Sequence, residues 1–118
     1  MIKLVFCLRR RDDLSREEFQ RYWREQHGPL VRSHAEALGI RRYVQVHSID
    51  DEISLAIAGE RGSPQPYDGV AELWFDDIEG ANRAFNEPRY LEVVRPDELK
   101  FVDLERCVSM LTEEFAVI

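Results

Sequence analysis

The chain has 118 residues, 44% of them apolar and 33% charged, with a formal net charge of −7. Those proportions describe one soluble globular domain over residues 1–118 and exclude a disordered chain. The acidic balance argues against a nucleic-acid partner, because affinity for phosphate rests on clustered Lys and Arg, and no apolar run approaches the ~18 residues of a membrane span.

The smaller signals agree. Arg9-Arg10-Arg11 is followed at once by Asp12-Asp13, which reads as a solvated turn. Met1 to Leu8 is apolar but too short for a signal peptide, and the basic residues follow it instead of preceding it. Cys7 and Cys107 form no Cys-x-x-Cys pattern and are expected as reduced, buried thiols of a cytoplasmic protein.

Ile2 to Leu8 reads as a strand, apolar on both faces as in the centre of a sheet. Ser15-Arg16-Glu17-Glu18 has capping-box spacing, so a helix is predicted from about Arg16. Phe19, Tyr22, Trp23, Gln26 and His27 follow its inner stripe. Gly28-Pro29 is expected to stop that helix, with Pro29 opening a second one through Leu30, Val31, His34, Ala35 and Leu38 to a Gly39 cap.

Ile40 to Ile49 alternates as a strand, with Ile40, Val44 and Val46 on one side and Arg41, Tyr43, Gln45 and His47 on the other. Asp50 to Pro66 is expected to be a long irregular connection. A third strand, Val70 to Phe75, puts Val70, Glu72 and Trp74 opposite Ala71, Leu73 and Phe75. Asp77 caps the next helix, carrying Ile78, Ala81, Ala84 and Phe85. Pro88 and Pro96 divide the segment after that helix into short helical pieces, and a last strand runs from about Glu105 to Leu111.

This β-α-β-β-α-β order predicts an α+β, ferredoxin-like fold: a four-stranded antiparallel sheet with its helices on one face. The other face would be bare in a monomer. Val44, Val46, Leu73 and Phe75 give both strands an apolar side that needs a cover. A second copy of the chain is the simplest one, so a homodimer is expected.

Three stretches, Ile2-Lys3-Leu4-Val5-Phe6, Tyr22-Trp23 to His27-Gly28-Pro29-Leu30-Val31, and Tyr67-Asp68-Gly69-Val70-Ala71-Glu72-Leu73-Trp74-Phe75, together resemble the EthD family. So does the late segment from Asp97 to Phe101-Val102-Asp103. The resemblance spans nearly the whole chain in order, and Trp-x-x-x-His-Gly-Pro-Leu-Val is its most specific part. It implies a dimeric α/β barrel, in which two sheets pack face to face across a two-fold axis. It implies less about chemistry, since fungal relatives act as polyketide-tailoring dehydratases or decarboxylases. The wider superfamily includes cofactor-free cyclases, quinol-forming monooxygenases, lactone isomerases and haem binders, so the fold fixes no reaction.

The chemistry-bearing residues each have two readings. His27 is a general acid/base near neutral pH, or a helix-end histidine that holds the Gly-Pro kink. Trp23 is a pocket wall or plain core, and His34 packs near the helix end or faces solvent. Tyr43 and His47 share a strand face that looks either toward the helices, joining His27 in a pocket, or across a dimer. Tyr67 would orient a substrate oxygen, and Asp68 beside it serves a turn. Glu72, on the face of Trp74, is a buried base or half of a salt bridge to an Arg.

Three scattered histidines make a metal site unexpected, and there is no Gly-rich phosphate loop or nucleophile elbow. Haem enters by superfamily analogy only, with His27 or His47 as the ligand. The leading expectation is a cofactor-independent enzyme for a small aromatic or polyketide-like molecule, with His27 moving a proton, Tyr43 and Tyr67 orienting oxygens, and Trp23, His47, Glu72 and Trp74 binding substrate. The alternative is a non-catalytic binding or accessory protein using the same pocket.

Overall fold

The structure, a computed structural model, describes residues 1–49 and 52–118. Strands β1 (Ile2–Leu8), β2 (Arg42–His47), β3 (Gly69–Phe75) and β4 (Val108–Thr112) form one antiparallel sheet in the order β2-β3-β1-β4. This is the expected ferredoxin-like arrangement. The predicted ends of the second and fourth strands need correction. Ile40 still closes the preceding helix through its N–H to the Ala35 carbonyl, and Leu104–Arg106 is a short 3₁₀ turn.

Helix α1 (Arg16–Tyr22) starts at the Ser15 capping box, with both reciprocal bonds made. It does not stop at Gly28-Pro29, as the sequence led us to expect. Trp23–His27 forms a π turn that runs directly into α2 (Gly28–Leu38), and the backbone stays right-handed throughout. The Gly28 N–H bonds the Trp23 carbonyl five residues back. Proline has no N–H to contribute to the ladder, and the wider turn absorbs that loss at the first turn of α2. The extra width also turns Gln26 out to solvent, although the helical stripe assigned it inward. Helix α2 ends at Gly39, whose left-handed φ of 69° suits a residue without a side chain.

The connection from Asp50 to Pro66 is not all irregular. It holds helix α3 (Glu52–Glu60), closed by Ser63 N–H to the Ala58 carbonyl at 2.9 Å and by Gly62 at φ 63°. Asp50 and Asp51, part of the predicted loop, lie outside the described residues. Helix α4 (Ile78–Asn86) is capped by the Asp77 side chain on the Gly80 N–H. A second π turn, Tyr90–Val94, then leads into α5 (Arg95–Glu98), again with a proline in its first turn.

Strand register assigns the two faces. Leu4, Tyr43 and Leu73 align on the inner face, as do Phe6, Gln45 and Ala71. Lys3, Arg42 and Trp74, then Val5, Val44 and Glu72, align on the outer face. The apolar side expected from Val44, Val46, Leu73 and Phe75 together is therefore two sides: the two valines face outward, while Leu73 and Phe75 pack under the helices. The inner core has two clusters, one around Leu4, Val31, Phe75 and Val94, the other around Leu8, Phe19, Trp23 and Phe101. Tyr43 and Leu73 touch both. Burying each large side chain contributes roughly 1.5–3 kcal/mol. Between the clusters the packing leaves a cavity.

Candidate active site

The cavity measures about 290 Å³ and lies between the sheet and the helical layer, near the lower bound for small-molecule pockets. Its wall is mostly apolar, including Phe6, Val31, Leu73 and Phe101, and its polar positions are His27, Tyr43, Tyr90, Arg95, Glu98 and Ser109. The two π turns and the α5 helix that follows the second deliver four of these six groups, His27, Tyr90, Arg95 and Glu98. Trp23 and His27 bound the first, Tyr90 and Val94 the second, and Glu98 follows one turn later.

His27 is 5% exposed, and its Nδ1 lies 2.8 Å from Oδ2 of Asp97. An ionised carboxylate only accepts, so Nδ1 carries the proton and donates. Tyr22 donates to the other carboxylate oxygen at 2.5 Å, and Lys100 Nζ approaches it at 3.4 Å. Burial opposes a charge on Asp97, but the Tyr22 and His27 donors outweigh it and keep its carboxyl below the usual range. Burial holds His27 below its ordinary value, with Asp97 opposing that shift. At neutral pH the pair is therefore a neutral imidazole on a carboxylate. Among the described residues no group hydrogen-bonds Nε2, and His27 lines the cavity. A lone pair on Nε2 is thus presented as a base.

The π turn is tied to β2. Gln45 donates to the Trp23 carbonyl at 2.9 Å and to the Tyr43 hydroxyl at 3.0 Å, and its own carbonyl accepts from His47 Nε2 at 2.8 Å. The His47 ring stacks on Trp23 with centroids 4.4 Å apart. Gly69 makes this fit possible, because a Cβ there would sit 2.4 Å from the Trp23 ring. Burial raises the Tyr43 hydroxyl pKa, so it remains a donor.

The β2 face carrying Tyr43 and His47 thus looks toward the helices. Tyr43, Trp23 and His27 line the cavity; His47 supports them from behind Trp23. Tyr67 does not reach it: its ring lies under the Arg9 guanidinium at 4.0 Å, at the sheet's end. Glu72 and Trp74 also stand apart, because strand alternation puts them on the outer face. Glu72 pairs with Lys3 at 2.7 Å, a lysine where an arginine was expected. The Trp74 indole donates to Glu114 at 2.6 Å beneath Arg42. A shared pocket of His27 with Tyr67, Glu72 and Trp74 is therefore corrected. His34 is half-buried on α2 and lines no part of the cavity.

Asp97, Glu98, Tyr90 and Tyr22 are site residues that sequence reasoning missed. Tyr90, Val94 and Glu98 stand at i, i+4 and i+8, a helical stripe carrying one carboxyl on an otherwise apolar line. That spacing was the available signal. Glu98 is 8% exposed, and the Tyr90 hydroxyl lies 3.4 Å from its Oε2. Burial pushes its carboxyl up to about 7, against the pull of Tyr90 and Arg95.

Haem does not fit these residues. A porphyrin is too large for a cavity of about 290 Å³, His27 commits one nitrogen to Asp97, and His47 is sandwiched against Trp23. Among the described residues, no group of three or more His, Cys, Asp or Glu side chains could hold a metal ion, and no helix is long and apolar enough to cross a membrane.

Comparison with known proteins agrees with this architecture. The chain is 31% identical over 120 residues to a conidial pigment biosynthesis dehydratase, EthD, of Metarhizium robertsii, covering 98% of this chain and 84% of that one. Its fold matches an EthD family protein of Bacillus halodurans with a TM-score of 0.68 at 19% identity, over 98% of this chain and 99% of the other. It also matches a dimeric protein of unknown function with a ferredoxin-like fold from Bacteroides fragilis, with a TM-score of 0.67 at 10% identity, over 96% and 95%. The EthD domain model matches residues 11–105, and the chain belongs to the EthD family.

Proposed function

We propose that this protein is a cytosolic, homodimeric, cofactor-independent enzyme that performs acid–base chemistry on a small aromatic or polyketide-like molecule. The observation that carries the reading is the His27–Asp97 pair, at 2.8 Å, opening onto an apolar cavity. Nε2 of His27 removes a proton from the carbon beside a substrate carbonyl. The Tyr43 hydroxyl donates to the oxygen on which negative charge collects. Asp97 acts through His27: it fixes the tautomer and steadies the imidazolium that forms. Trp23 supplies wall. The dehydratase relative supports this class, since loss of water needs proton transfers and no redox partner. Convergence of four titratable groups, His27, Tyr43, Tyr90 and Glu98, on one cavity favours catalysis over simple binding.

The homodimer rests on the uncovered outer face of the sheet, where Val46, Val108 and Met110 are exposed. The dimeric neighbour of like fold supports it, and a dimeric α/β barrel is the assembly it would form. The test of the catalytic reading is deuterium exchange at the carbon beside the carbonyl of α-tetralone, followed by NMR. His27→Ala should slow that exchange by ~10²–10⁴-fold while leaving fold and dimer intact. Exchange unchanged in His27→Ala would overturn the role of His27 and leave the binding-protein alternative.

A further inference from the structure

The geometry points to Glu98 as a second catalytic group, the acid that protonates a departing hydroxyl, and so to a β-hydroxy ketone as the substrate class. This rests on the reading of His27 as the base. Glu98 lines the same cavity as His27, yet the base has no use for it: Asp97 already occupies the imidazole. Two adjacent carboxyls of α5 thus have opposite settings. Asp97 receives Tyr22, His27 and Lys100. Among the described residues, the Glu98 carboxyl receives one side-chain hydrogen bond, a long one from Tyr90 at 3.4 Å.

A carboxyl so poorly supplied with donors, and so buried, holds its proton to neutral pH. Its neighbours do not change that. On its own helical segment it meets Tyr90, Arg95 and Asp97, and only the arginine is cationic. From β2 it is faced by Tyr43, and from the segment before β4 by Cys107, both neutral. A base that is neutral and an acid that is neutral in one site is the pairing an elimination needs.

The step balances without any further reagent. Nε2 of His27 takes the proton from the carbon beside the carbonyl. The electron pair of that C–H bond forms the new C=C bond, the C–O bond to the β-hydroxyl breaks, and the Glu98 proton goes to the leaving oxygen as water forms. His27 is left as imidazolium and Glu98 as carboxylate, and water entering after product release returns the proton from one to the other. The cavity, at about 290 Å³ with aromatic walls, suits one or two fused rings.

The experiment uses two probes of one skeleton. Conversion of β-hydroxy-α-tetralone to α-naphthol reports elimination, and deuterium exchange into α-tetralone reports the base alone. The wild-type protein should do both, and its elimination should fall as pH rises through about 7. Glu98→Gln should lower the ratio of elimination to exchange by ~10²-fold and abolish that falling limb. Exchange without elimination in the wild type would overturn the assignment of Glu98 while leaving His27 as base. An unchanged ratio in Glu98→Gln would do the same, and loss of the falling limb alone, with the ratio unchanged, would also count against it. Absence of exchange in the wild type would instead sink the reading of His27, and this proposal with it.

Discussion

The two faces of the one sheet make opposite use of similar residues. Inside, β2 and β3 present Tyr43, Gln45, Leu73 and Phe75 to the helices, and the polar groups among them are tied into the π turn or open on the cavity. Outside, the same strands present Val44, Val46, Glu72 and Trp74; Glu72 pairs with Lys3, which also pairs with Glu114, and the Trp74 indole donates to Glu114, all in partial contact with water. An aromatic ring beside a carboxylate looks like a site in either place. What separates them is pairing: Glu72 has a cation in direct contact at 2.7 Å, whereas Glu98, among the described residues, feels Arg95 without an ion pair and is hydrogen-bonded by a phenol at 3.4 Å. A paired surface carboxylate is ordinary, and a buried one with no ion pair in direct contact is set up for proton transfer.

The largest effect that would sharpen this contrast lies inside. Asp97→Asn should slow α-proton exchange by ~10–10³-fold, because an amide no longer enforces the Nδ1–H tautomer. Asp97 raises the His27 pKa against burial. Its removal lets that pKa fall further, so the rising limb of the pH–rate profile should move to lower pH. A purely structural role would lower the rate without moving the limb. The next effect lies outside. Val46→Glu places a charge on the uncovered face and should shift the protein from dimer to monomer in sedimentation, with exchange staying within a few-fold, since the cavity is built within one chain. A dimer that survives the change would place the interface elsewhere. The smallest effect is Glu72→Gln. It should leave exchange unaltered and cost about 1 kcal/mol or less in thermal unfolding, the worth of a partly exposed ion pair; a large loss of exchange would undo the separation of the faces.

The fold was legible where single residues have one structural use. Ser15 with Glu18, Asp77, and Gly39 mark helix ends that the structure reproduces. The alternation of β3 also sorted Glu72 and Trp74 from Leu73 and Phe75, but not which set faces the helices, since both sets carry aromatics. Trp23 and His27 were readable because they sit four apart on a stripe. Asp97 was not readable as their partner, because it lies 70 residues away and Pro96 beside it reads as a breaker. Both prolines mislead for one reason: a π turn before each lets the chain continue, and a 3.6-residue period has no place for it. Helix α3 was missed because Gly59, Gly62, Pro64 and Pro66 punctuate the segment as an irregular connection, and the helix ends just as they begin.

The claim on which the rest depends is that His27 is a neutral base held by Asp97. Nitrogen-15 NMR of the imidazole, titrated across pH 5–8 and assigned by the His27→Ala spectrum, tests it directly. The account predicts a neutral ring at pH 7 with the proton on Nδ1, an unprotonated Nε2, and a transition below the ordinary value of 6.5. A proton on Nε2, or an imidazolium at pH 7, would contradict it.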